Sequence, residues 1–260
     1  VTKTDANGVY QFPASRYAKT VFVSVPAAYE IPLDANKKPA FYKVGVKKNK
    51  QNRNDFTLTP LATSEDNFTF IAIGDPQCTN EKEANRYINE TMNDIVQTVS
   101  TNSKFKNPYA VTLGDIVFDA PDMWDTMKSS MSNVRLGNGS YLPIFQCVGN
   151  HDHNAKTSSD RDALADFNSH FGPTDYSFNR GKVHIVVMDN VVCTQTDNSS
   201  WDYDAGFSKS QFNWLQADIA AVDNKEDKML ILCCHIPFRD SDASGGANMN
   251  EDKYYEETLA

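Results

Sequence analysis

The sequence runs to 260 residues, enough for one large domain or for a domain with a small appendage. With 40% hydrophobic and 23% charged residues the composition excludes a disordered chain, and no apolar run is long enough to cross a bilayer. The formal charge of -9 argues against a surface built to grip nucleic acid, which needs clustered Lys and Arg.

Residues 1–62 carry short alternating runs, Tyr10 to Phe12, Thr20 to Val25 and Phe41 to Val46, divided by Asn, Gly, Pro and Lys clusters. This pattern predicts a small antiparallel β module. The opening KTDANGVYQFP places Asp and Gly at a hairpin turn ahead of an alternating strand.

Over residues 63–260 the pattern changes to strands alternating with helices, which predicts an α/β architecture. Phe68 to Ile73 reads as a buried strand, Glu81 to Val99 as an amphipathic helix and Tyr109 to Leu113 as a second strand. A helix over Asp122 to Val134 and a strand over Ile144 to Val148 follow, then a short helix over Arg161 to His170. Strands near Tyr176 to Phe178 and Val183 to Met188 precede a helix over Lys209 to Ala221 and a strand over Met229 to Cys234. Tyr254 to Leu259 reads as the start of a further helix.

The five cysteines, Cys78, Cys147, Cys193, Cys233 and Cys234, are odd in number and lack zinc-ribbon spacing. Neither a disulfide framework nor a thiolate zinc site is indicated. Cys147, Cys233 and Cys234 lie in apolar runs and read as buried thiols.

Four predicted strands run straight into polar residues of one chemical kind. Phe70 to Ile73 delivers GDPQ with Asp75 and Gln77, and Val111 to Leu113 delivers GDIVFD with Asp115. Ile144 to Val148 delivers GNHDH with Asn150, His151 and Asp152, and Leu230 to Cys234 delivers His235. Open α/β sheets place ligands just beyond the carboxyl ends of their strands, so oxygen and imidazole groups gathered there point to a metal site. Gly74, Gly114 and Gly149 stand ahead of ligands, where the chain must turn sharply away from the sheet. His184 and His170 read as structural, while His153 directly follows the GNHD run and is a candidate to reach substrate. Trp201, Tyr203 and Phe207 occupy an insertion-like stretch that would line a substrate cleft or pack as surface loop.

From about residue 67 onward these motifs resemble the calcineurin-like metallophosphoesterase superfamily, whose pattern is Asp-x-His, Gly-Asp-x-x-Asp, Gly-Asn-His-Asp/Glu, a lone His and then Gly-His-x-His. The resemblance implies a four-layer α/β/β/α sandwich with a dinuclear site above its central sheets. It implies that Asp75 and Gln77 bind a first metal, that Asp115 bridges both, and that Asn150 and His235 bind a second. Two divalent ions drawn from Mn, Fe, Zn or Mg would then deliver a bridging hydroxide to a phosphoester substrate. His151 would protonate the leaving oxygen, with Asp152 orienting its ring. The N-terminal stretch resembles carboxypeptidase regulatory-like, transthyretin-type β-sandwiches, whose Thr-Asp-x-x-Gly-x-Tyr signature it carries.

This sequence departs from that pattern in three places. Gln77 stands where the family usually has His, Asp119 sits one residue later than the second acid of Gly-Asp-x-x-Asp, and no Gly-His-x-His follows His235. The reading is a phosphoesterase domain shortened at its C-terminus, of a bacterial kind placed in the periplasm, envelope or exterior by analogy with exported multi-part members. The alternative is a non-catalytic binding module that keeps the fold with a degenerate metal site.

Overall fold

The computed structural model describes residues 1–13, 19–47, 50–157, 159–195 and 202–238. In chain order, β1 (Thr20–Phe22) pairs antiparallel with β2 (Tyr42–Val44), while the run Tyr10 to Phe12 forms no strand. β3 (Thr69–Ile73) leads into α1 (Glu81–Arg86), a π-helical stretch (Tyr87–Met92) and α2 (Asn93–Thr101). The helix starts where expected because the Asn80 side chain accepts the Glu83 N–H, and Glu81 and Glu83 sit in the first turn against the helix dipole.

β4 (Pro108–Leu113), a 3-10 turn (Pro121–Met123), α3 (Trp124–Ser130) and β5 (Ile144–Cys147) follow. Parallel strands need long crossovers, and these helices supply them, so β3, β4 and β5 form a parallel sheet in that order. A 3-10 turn (Asn150–Asp152), α4 (Asp160–Ala163) and α5 (Ala165–Phe171) lead to the hairpin of β6 (Tyr176–Arg180) and β7 (Val183–Val187). β8 (Val191–Gln195) and β9 (Asp202–Ala205) make a separate antiparallel pair. α6 (Lys209–Ala220), opened by a Ser208/Gln211 capping box, returns the chain to β10 (Met229–Cys233), which joins β7 in parallel. The protein is thus a mixed α/β structure with several sheets.

The two-residue side-chain period of the strands sorts the core. Along β7, Ile185 and Val187 pack with Tyr109, Val111, Phe145 and Cys147 of the parallel sheet, whereas Val186 packs with Leu215 and Trp214 of α6. On the other side of the parallel sheet, Ala110 and Ile144 meet Ala84, Trp124, Met127 and Phe167 from the helices.

The N-terminal segment shares the cluster of Phe145 and Ile185. Val25 and Phe41 are buried there, with the Phe41 ring 4.7 Å from Tyr176 and 5.5 Å from Phe145. Val25 bridges Phe178 in parallel and accepts the Asn179 N–H at 2.8 Å, so it covers the free edge of β6. The fully buried Arg180 donates to the Tyr29 carbonyl at 2.6 Å. Residues on both sides of the expected division at 62/63 therefore pack in one apolar cluster.

The long helix predicted over Glu81 to Val99 is present but carries the π stretch, and the helix predicted over Asp122 to Val134 stops at Ser130. The hairpin of β8 and β9 was not expected. Its second strand, DYDA, has only one buried side chain and no apolar alternation to mark it. The helix read over Tyr254 to Leu259 lies outside the described residues. None of the five cysteines forms a disulfide, and burial pushes the thiols up, Cys78 to about 11 and Cys233 and Cys234 to about 12.

Candidate metal centre

The ends of β3, β4, β5 and β10 meet because three of these strands are parallel neighbours and the fourth is tied to them through one imidazole. His235, just past β10, places Nδ1 2.8 Å from the Leu113 carbonyl at the end of β4. A carbonyl only accepts, so Nδ1 carries the proton and Nε2 presents an electron pair in the neutral ring. That nitrogen faces Asn150 Oδ1 at 2.9 Å and Asp115 Oδ1 at 3.4 Å. Asp75 Oδ1 lies 3.7 Å from Nδ1 of the same ring. Electron pairs so close to one another are favourable only around a shared cation or proton.

Asp115, only 2% exposed, is the second hub. Its Oδ2 accepts from Gln77 Nε2 at 2.9 Å, and its Oδ1 accepts the His151 N–H at 3.0 Å. Gln77 also donates its backbone N–H to the Asp115 carbonyl at 2.7 Å, and Cys78 bridges Val117, so the loops leaving β3 and β4 continue side by side. The structure therefore brings together all five residues predicted as ligands, Asp75, Gln77, Asp115, Asn150 and His235.

Backbone geometry at this edge is unusual. Asp75, Gln77, Asp115 and Asp119 all have positive φ, between 31° and 51°, a region that side chains other than glycine rarely enter. Such strain gathers at functional sites and persists only where surrounding contacts enforce it. Two glycines make the convergence possible. A Cβ on Gly114 would lie 2.7 Å from His235 Nδ1, and one on Gly149 would lie 2.3 Å from Asp115 Oδ1. A Cβ on Gly74 would meet no protein atom within 4 Å, unlike one on Gly114 or Gly149.

His151 is where the sequence reading needs correcting. Its Nδ1 lies 2.9 Å from Asp119 Oδ2, and its ring stacks on Phe118 at 3.8 Å. The residue that orients the imidazole is Asp119, whose role was not carried over because of its shifted spacing. Asp152, predicted for that task, is buried and faces inward, accepting the Val117 N–H at 3.1 Å and the Gly149 N–H at 2.9 Å. Burial pushes its carboxyl up to about 7 against the pull of those N–H groups. Asp152 ties the GNHD turn to the loop after β4 and is a structural part of the site.

The other singled-out residues fall into place around this centre. His184 is buried between Asn179 Oδ1 at 3.0 Å and Asp218 Oδ2 at 2.9 Å, and His170 stacks on Trp124, so both are structural as expected. His153 is wholly buried and does not reach the surface. Burial opposes its charged form, but the Asp189 carboxylate outweighs this and holds the ring up to about 9. Phe207 is core beside Val186 and Leu215, not cleft lining. Tyr203 is half-buried against the cluster of Val186 and Leu215, and its hydroxyl is pushed up by burial and then by the charges of Asp115 and Asp202. Trp201 lies outside the described residues.

The donor set suits divalent cations. Carboxylates, amide oxygens and one imidazole with its other nitrogen fixed on a carbonyl are groups that hold such ions. No Lys or Arg among the described residues pairs with these carboxylates, whose ionic contacts are to His235 and, for Asp119, to His151. A phosphate anion would meet repulsion here without added positive charge.

Residues 1–61 match a family model described as the N terminal of Calcineurin-like phosphoesterase. The match covers 61 of the 260 residues and supports a likeness to the calcineurin-like phosphoesterases. It ends before the first strand-end motif, so it assigns no role to any residue of the centre. No curated protein matches the chain.

Proposed function

We propose that this chain is a metal-dependent phosphoesterase whose active centre is the edge formed by Asp75, Gln77, Asp115, Asn150, His151 and His235. The observation that carries the reading is the cluster of electron pairs around His235 Nε2 and Asp115, which lacks any basic side chain of its own among the described residues. Two divalent ions, when bound, supply a nucleophile from water at neutral pH and neutralise the phosphoryl oxygens. Asp75 and Gln77 would hold one, Asn150 and His235 the other, and Asp115 both. Gln77 spends Nε2 on Asp115, which leaves Oε1 as its donor and favours a harder ion such as Mn or Mg at that position.

His151 is the proton donor to the leaving oxygen in this reading. Its Nδ1 is occupied by Asp119, so Nε2 is the nitrogen that faces substrate, and stacking on Phe118 restricts the ring. His151→Ala is expected to keep the metals and to slow alkyl phosphate hydrolysis by about 10²–10⁴-fold, with much less effect on activated aryl esters. Asp119→Asn should act in the same direction more weakly. Equal slowing of both ester types by His151→Ala would remove the acid role.

The four-layer arrangement is part of the same reading, supported by the three apolar clusters that pair helices with the parallel sheet, that sheet with β6, β7 and β10, and those strands with α6. Tyr203, whose hydroxyl feels the charge of Asp115, is the residue we assign to substrate contact. Export to the cell envelope is proposed by analogy with exported multi-part members alone. Elemental analysis of the protein together with a panel of phosphate mono- and diesters tests the function. Stoichiometric metal with no turnover on any ester would favour the non-catalytic binding module.

A further inference from the structure

A second group of metal-competent side chains lies behind the GNHD turn, built from three separate segments. His153 follows the 3-10 turn after β5, Asp160 is the first residue of α4, and Cys193 lies in β8. One ligand atom from each of the three falls within 4.8 Å of the other two. His153 and Cys193 are buried and Asp160 half-buried, so the group is closed off from solvent in a way that a surface acidic patch is not.

The imidazole is the informative member. His153 Nδ1 is 2.8 Å from the Gly149 carbonyl, which only accepts, so Nδ1 carries the proton and the nitrogen left for a ligand is Nε2. Nε2 is fully buried and makes no hydrogen bond of ordinary length among the described residues; it faces the Asp189 carboxylate, whose charge favours a proton on this nitrogen when no cation is there. Asp189 Oδ2 stands 3.5 Å from it, at the outer limit of a hydrogen bond. A buried nitrogen held this loosely is under-satisfied and can take a cation between itself and the carboxylate. Fixing one imidazole nitrogen on a backbone carbonyl is also how proteins aim the other at a metal.

The two carboxylates are oriented in the same manner. Asp160 Oδ1 accepts the Cys193 N–H at 2.8 Å, and the Cys193 thiol also bonds to Asp160, so the proton between them is the one a cation would displace. Asp189 Oδ1 accepts the Val191 N–H at 3.0 Å, which leaves Oδ2 turned toward His153.

We propose that His153, Asp160 and Cys193, completed by Asp189, form a buried site for one thiophilic divalent cation of the Zn(II) type, distinct from the strand-end centre. Nitrogen, thiolate and carboxylate donors in a closed setting are those of a structural zinc site. The strand-end ligands include no sulfur, so the two centres select different ions. The bound ion would fasten the turn carrying Asn150 and His151 to β8. Cysteine spacing gave no sign of it because its ligands are 7 and 33 residues apart along the chain, read from positions 153, 160 and 193.

Cobalt(II) separates this site from the other, because only a thiolate ligand gives the near-ultraviolet sulfur-to-cobalt band. The full chain, stripped of metal and titrated with Co(II), is expected to develop that band at one equivalent and to lose it when Zn(II) is added in competition. Asp115→Asn should leave the band in place, and Cys193→Ser should abolish it. Should Cys193→Ser fail to fold, Asp160→Asn at its half-buried position decides, with an expected fall in Co(II) affinity of at least about 10–100-fold at this site. Absence of the band in the unmodified chain, its survival in Cys193→Ser, or an unchanged affinity in Asp160→Asn would overturn the proposal.

Discussion

Asp115→Asn is expected to leave the fold intact, release the second metal equivalent and reduce phosphoester hydrolysis by at least about 10²–10³-fold, the scale set by removing one charge-stabilising group from an active centre. Asn is nearly isosteric with Asp, so the loss would be electrical and directional. Asp115 accepts from Gln77 Nε2 and from the His151 N–H on different oxygens, and Oδ1 also faces His235 Nε2 at 3.4 Å. An amide turns one of these acceptors into a donor, pointing N–H at N–H, and withdraws the charge that would bind two cations together. Elemental analysis beside far-ultraviolet circular dichroism checks this. An unchanged spectrum with both metals retained would sink the bridging assignment.

Phe145→Ala should give the largest loss of stability, about 3–5 kcal/mol, as expected for a buried phenyl group whose cavity cannot fully collapse. Phe145 is 1% exposed and lies between the parallel sheet and the strands that follow it, with its ring 4.0 Å from Phe178 and 9° from parallel. Phe41 from the N-terminal segment and Tyr176 close the same cluster. One deletion would therefore loosen three parts of the chain at once. Denaturant unfolding of the metal-free protein measures it, since bound metal would add its own stabilisation. The midpoint should fall with little change in slope, and a loss below about 1 kcal/mol would mean that the cluster repacks freely.

The meeting of Asp75, Gln77, Asp115, Asn150 and His235 was readable because each motif couples a short apolar run to a polar group, three of them through a glycine, and the sheets deliver these groups to one edge. The partner of His151 was not readable in the same way. Asp152 is adjacent in sequence, but the 3-10 turn rotates it inward to backbone donors, while Asp119 reaches the ring from the loop after β4. The fold was legible where apolar runs were bounded by turn residues, as in β5 and β7. It was not legible in β9, whose polar residues pair with β8 through backbone groups that carry no side-chain signature. Nor did alternation in residues 1–62 reveal that Val25 and Phe41 would be buried with the strands of the larger region.

The four positive-φ residues at the site edge have a consequence for how this protein would respond to selection. A left-handed conformation costs a residue with a side chain on the order of 1–2 kcal/mol and costs glycine almost nothing. Gln77→Gly or Asp119→Gly would therefore tend to raise stability while removing a group that the chemistry uses. Variants chosen for heat resistance alone would drift toward an inert scaffold at these positions. A library that holds Asp75, Gln77, Asp115 and Asp119 constant is the one in which thermal tolerance and turnover can rise together.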